Sequence, residues 1–196
     1  MSTSLLAPGG SAGLVAAALF VTTTVINQFA PLQEPYVSTT DYIQQAVLLL
    51  AFLAVVGAVT ALTALLRSTG RMRTLSVVGG MLTGGGYLVV GLLNLANLLQ
   101  GERAFVAVRQ APALVLLAGS ALLGVLVLIT RALPWWCGVL LIIAFPLGDM
   151  VDALFPGGES ILLALLWGTV GIALLNRAGA AGIPLGAAAR PEQVLR

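Results

Sequence analysis

Asp149 and Asp152 are the carboxylates whose spacing could do chemistry: three residues apart in FPLGDMVDALF, they share one face of a helix. A carboxyl desolvated among apolar groups can stay protonated and act as a general acid, and the pair could instead hold an ion or a ligand. Pro146, three residues earlier, cannot donate to the carbonyl of Ile142 and should kink the helix there. Two carboxylates, a kink and a freed carbonyl fit a polar cavity better than a packing surface. The plainer alternative is a structural tie, with Asp152 solvated and Asp149 paired to Arg109; Arg103 is the other candidate counter-charge. Asn27, Gln28, Asp41, Gln44, Gln45, Asn94 and Asn97 fall at the same ends of the apolar runs, with Tyr87 deeper. The candidate ligand-binding set is therefore Asp149, Asp152, Asn27, Asn94, Asn97, Gln45, Arg109 and Tyr87. Asn94 and Asn97 read more plainly as interhelical hydrogen-bond partners than as ligand contacts.

Much chemistry is excluded by what the chain lacks. It has no histidine, which removes imidazole-ligated haem, the usual zinc sites, Ser-His triads and histidine proton relays. Its single cysteine, Cys137, forbids an intrachain disulfide and reads as a buried thiol. No motif calls for a cofactor or a metal. All nine basic residues are Arg, and none clusters with aromatics, so the run Arg67, Arg71, Arg73 reads as a topology signal and not as a nucleic-acid site.

The elements that must position these groups follow from composition. With 59% hydrophobic and 8% charged residues, the 196-residue chain supplies six apolar runs near the ~20 residues that cross a bilayer. They lie at about 12–30, 43–66, 75–99, 113–130, 135–155 and 161–174. Backbone groups in lipid must pair within their own segment, and no run alternates as barrel strands do, so the fold class is all-α. It is a polytopic transmembrane bundle of six helices over 1–176, followed by a short disordered cytoplasmic tail, 177–196. A cleaved signal peptide competes for the first run, but there is no basic region before it and no clear cleavage site.

A cytoplasmic N-terminus puts seven arginines and Glu192 inside. Six acids, Arg103 and Arg109 then lie outside, giving +6 and −4 and summing to the formal +2. The positive-inside rule therefore places both termini in the cytoplasm. Trp135 and Trp136 fit an aromatic belt at the inner interface. From there Asp149 lies about 21 Å across the membrane and Asp152 about 25 Å, at 1.5 Å per residue.

Small residues mark packed faces, because leucine gains nothing over lipid and close backbone approach must drive association. Ser76, Gly80, Thr83, Gly84, Tyr87, Gly91 and Asn94 form one stripe of the third span, opposite Val78, Leu82, Val89, Leu92 and Leu93. Gly13, Ala17, Phe20, Thr24 and Asn27 form another on the first, which should stop by Pro31. Glu159, before Ser160, favours the start of the sixth span through capping and the helix dipole.

The hairpin Ala61–Leu99, with its turn RSTGRMR, and the stretch RALPWWCGVLLIIAFPLG resemble the uncharacterised small six-helix integral membrane proteins of actinobacteria. The resemblance covers about half the chain and implies a helical bundle in the bacterial plasma membrane, with no activity attached. The first functional expectation is a multi-pass protein that binds or transports a small molecule through a polar pocket on the outer side. Its size and helix count also match the substrate-binding membrane components of vitamin-uptake transporters, an analogy of architecture alone. The alternatives are an intramembrane enzyme using a buried Asp as general acid on a lipid-soluble substrate, and a structural or regulatory subunit. The expected partners are the lipid bilayer, a small-molecule ligand and a membrane protein docked on the helix faces; nucleic acid is not among them.

Overall fold

The computed structural model describes residues 3–33, 35–70, 72–101, 110–155 and 157–182; the side chains at 3, 149, 181 and 182 lie outside that description. After a 3-10 turn, Thr3–Leu5, the described residues form six α-helices: α1 (Leu6–Phe29), α2 (Thr39–Ser68), α3 (Arg73–Gln100), α4 (Gln110–Thr130), α5 (Trp135–Leu154) and α6 (Gly158–Gly182). All six are long and apolar enough to cross a membrane. All but α5, which ends one residue before its predicted span, are longer than predicted, because a helix need not stop where its hydropathy does. The largest gain is in α6, which continues through Arg177, beyond the boundary predicted at 176.

Each helix packs antiparallel to its neighbour in sequence, and α6 returns to α1, so the six form a closed ring. Two ends result. Asp41, Asp152 and Glu159 lie at the acidic end; Arg67, Arg73, Arg131 and Arg177 lie at the arginine end, where Arg177 Nη2 donates to the carbonyl of Arg131 at 3.4 Å.

Glycine lets the backbones meet at the seams. A Cβ on Gly13 would sit 2.9 Å from Gly171 Cα, and one on Gly171 2.8 Å from Gly10 O, so α1 and α6 touch backbone to backbone. Gly124 and Gly138 do the same for α4 and α5. The predicted stripe of α3 is there in part: Ser76, Thr83, Gly84, Tyr87 and Gly91 are buried and Gly80 and Asn94 half-buried, while Val78, Val89 and Leu92 are exposed; Leu82 and Leu93, predicted to face away, are half-buried, Leu82 against Gly119 of α4. α3 also buries Gly79 and Gly86, which the single stripe missed, against Leu123 and Leu116 of α4. A ring position needs two packed flanks, and glycine serves both.

The connections are fixed locally. Ser38 caps α2 in a capping box with Asp41, whose carboxylate also accepts from the backbone N–H of Gln33 and Val37. Tyr36 N donates to Gly101 O at 2.7 Å, tying this first loop to the end of α3. Gly70 and Gly101 take the left-handed conformation that ends α2 and α3.

Candidate functional site

Five aromatic side chains fill the middle of the ring. Phe20 of α1, Phe52 of α2, Tyr87 of α3, Phe145 of α5 and Trp167 of α6 stack as a continuous layer, with centroid separations of 5.9 Å for Phe20–Phe52, 5.8 Å for Phe52–Tyr87, 6.0 Å for Tyr87–Phe145 and 5.8 Å for Tyr87–Trp167. Such contacts add about 0.5–1.5 kcal/mol each beyond area burial. Trp167 Nε1 donates to the Tyr87 hydroxyl at 3.0 Å, both side chains being fully buried, so the indole N–H has its partner inside the core. Helix α4 supplies Leu116, seated over Gly86.

Between this layer and the acidic end lies a pocket of about 440 Å³, within the range of small-molecule sites. Phe52, Tyr87 and Phe145 form its floor; Val90, Leu116, Leu117 and Leu163 line its walls; Gln110 and Glu159 stand at its mouth. Two local features make room for it. The glycine contact between α4 and α5 lies at Gly124 and Gly138, towards the arginine end, and the pocket occupies the space between the other halves of these helices. Pro146, inside α5, lines the same space, where Ile142 lacks the donor a regular helix would give it. Ala113, Leu114 and Pro146 are exposed and belong to the rim, so the pocket reaches the outer surface of the ring on the α4–α5 side.

Glu159 is in the first turn of α6 and packs on Gly148 of α5: a Cβ there would meet Glu159 Cγ at 3.1 Å. The absent side chain at Gly148 is what admits the glutamate. Among the described residues that line the pocket, Glu159 carries the one formal charge. Along α6 it stands about 12 Å from Trp167, taking 1.5 Å per residue.

The predicted site residues are distributed differently. Tyr87 lines the pocket, as part of its floor. Asn27, Gln45, Asn94 and Asn97 lie on the α1–α3 side of the ring, where Gln44 Nε2 donates to Asn27 Oδ1 at 3.3 Å and Asn94 Nδ2 reaches the carbonyl of Gln45 at 3.5 Å. Gln44 Oε1, Gln45 Oε1 and Asn97 Oδ1 are buried with no hydrogen-bond donor among the described residues. Asp152 is exposed and accepts from the N–H of Gly157 at 2.8 Å, closing the turn between α5 and α6. The backbone of Asp149 is helical, but its side chain, like all of Arg103 and Arg109, lies outside the described residues. Of the predicted residues whose side chains are described, Asn27, Gln45, Asn94 and Asn97 thus belong to an amide layer on α1–α3, Tyr87 to the pocket and Asp152 to the α5–α6 turn.

Phe52, Phe145 and Glu159 were missed as site residues. The available signal was an aromatic near the middle of several spans, and a glutamate facing across a hairpin turn to a glycine in PLGD. Comparison with family models, with curated proteins and with solved structures finds no match to this chain.

Proposed function

We propose that this chain is a multi-pass membrane protein that binds a small, largely apolar molecule taken from the bilayer into the pocket between α3, α4, α5 and α6. The observation that carries the reading is the pocket itself: about 440 Å³ above a closed aromatic layer, with a rim on the lipid-facing side of α4 and α5. Exposed Leu88, Leu92, Leu114, Leu165 and Ile172 make the outer surface of the ring apolar, as contact with lipid requires. A molecule dissolved in lipid would meet the rim directly and exchange lipid contacts for aromatic ones. The layer of Phe20, Phe52, Tyr87, Phe145 and Trp167 obstructs passage through the ring in this conformation, so binding is the activity the geometry supports; transport would require these rings to part.

The sequence pointed to a polar pocket. The pocket at this end is apolar in its walls and polar only at its mouth, which favours a ligand soluble in membrane over a hydrophilic one. The test uses butylbenzene with protein purified in detergent. A ligand that binds only the folded state raises the unfolding temperature with its concentration. The native chain should show a saturable rise that Leu117→Phe, which narrows the pocket, abolishes. An equal rise in both proteins would place the effect in the micelle and sink the reading.

A further inference from the structure

We infer that the acidic-end halves of α1, α2 and α3 are the part of the ring that opens to water, while the arginine half stays shut. The amide layer carries this, independently of the pocket. Asn27, Gln45 and Asn94 each stand seven residues, about 10 Å, beyond Phe20, Phe52 and Tyr87 on the same faces of their helices, so the amides form a second layer over the aromatic one. This layer is under-bonded. Gln44 and Gln45 are 6% and 3% exposed, yet Oε1 of each, like Asn97 Oδ1, accepts no hydrogen bond among the described residues. An acceptor buried without a donor forfeits the bond it makes in water, so any opening that admits water regains it. The bonds that join the helices here are at the long limit: 3.3 Å from Gln44 Nε2 to Asn27 Oδ1 and 3.5 Å from Asn94 Nδ2 to the carbonyl of Gln45.

The other half of the ring is bonded and packed. On that side of the aromatic layer the buried hydroxyls of Ser76, Thr83 and Ser120 each donate to a carbonyl of their own helix. No buried side-chain polar atom is left without a partner there among the described residues. Leu62, Leu66, Leu123 and Leu174 are fully buried in the same half. The α2–α3 seam shows the same gradient in its spacing. A Cβ on Gly80 would meet Thr63 Cβ at 3.0 Å, whereas one on Gly91, about three turns on, would make an ordinary contact of 3.6 Å with Leu49. Helices locked at one end and loosely joined at the other part at the loose end, where few satisfied contacts are lost. Opening there brings water onto the Phe20–Phe52–Tyr87 layer from the acidic side, a route for polar solutes distinct from the rim of the pocket.

The experiment reads opening as the rate at which N-ethylmaleimide labels a buried thiol of the native protein in detergent. Thr23→Cys places the thiol one turn from Asn27 on the same face of α1, at a position 5% exposed whose hydroxyl donates to the carbonyl of Leu19 in its own helix. Cys137, fully buried in the arginine half, is the internal reference. Thr23→Cys should label on the order of tenfold faster than Cys137. Gln45→Met keeps the length of the side chain and removes an unpartnered oxygen, so it should raise the unfolding temperature and slow labelling at Thr23→Cys about tenfold. Gln44→Met also loses the donor to Asn27 and should give a smaller rise. Equal labelling of the two thiols overturns the inference. So does a lower unfolding temperature in Gln45→Met, which would mean that its Oε1 has a partner in the closed layer, or an equal rise in both Met variants, which would trace the effect to hydrophobicity alone. The unfolding comparison needs no engineered cysteine and decides the matter even if Thr23→Cys fails to fold. None of these outcomes bears on butylbenzene binding, so the pocket reading stands or falls separately.

Discussion

At the scale of single residues, the bond between Trp167 and Tyr87 sets the character of the core. A buried indole N–H without an acceptor costs about 1–3 kcal/mol, so Tyr87→Phe should destabilise the bundle by that amount even though it removes only one oxygen. Trp167→Phe in the same background should cost less than in the native chain, because the orphaned donor is then gone. A double-mutant cycle on unfolding in detergent measures the coupling, and strictly additive losses would contradict the buried bond. Ser38 offers a second test. Its hydroxyl accepts from Asp41 N at 3.2 Å and donates to the Asp41 carboxylate at 2.7 Å, closing the first turn of α2. Ser38→Ala should speed amide exchange in residues 38–42 while leaving the middle of α2 protected.

At the scale of helices, glycine positions that look alike in sequence should respond in opposite ways. A Cβ at Gly171 would lie within 3.2 Å of three backbone atoms of α1, whereas one at Gly85 meets nothing within 4 Å. Gly171→Leu should therefore prise α6 from α1 and lower the unfolding temperature sharply. Gly85→Ala, which adds helix propensity with nothing in its way, should stabilise by up to about 1 kcal/mol. A neutral Gly171→Leu would mean that the ring does not close there. The six helices and the packed stripe of α3 were legible because hydropathy and small-residue spacing are properties of one segment. The second flank of α3 at Gly79 and Gly86 was not legible, since it depends on which neighbour the fold brings alongside. Phe52, Phe145 and Glu159 were invisible for the same reason: they lie on three different helices, and only tertiary packing makes one pocket of them. Asp41 could be located but not interpreted, because its bonds to Gln33 and Val37 become apparent only once the loop has turned.

At the scale of the whole molecule, the described arginines and acids sort to opposite ends, and the orientation argument becomes a labelling experiment. Val37 is 74% exposed at the acidic end, and Ser68 is exposed at the arginine end. With an impermeant maleimide on intact cells, Val37→Cys should react at once and Ser68→Cys only after the membrane is opened; the reverse would invert the predicted topology. Cys137 need not be removed beforehand, since it is fully buried and should stay silent until the protein is denatured. The α1–α6 seam has one more consequence, which lies in the order of synthesis. The first helix made waits for the last, with Gly10 and Gly13 facing no protein partner until Gly171 has been translated. At 5–20 residues per second that interval is on the order of ten seconds. During it the nascent chain is an open-sided assembly of five helices whose small-residue groove is available to lipid, to a chaperone or to a second unfinished copy. On the proposed membrane reading, a ribosome that stalls before α6 would therefore release a product whose α1 seam is still open, the form a membrane protease could recognise as unfinished.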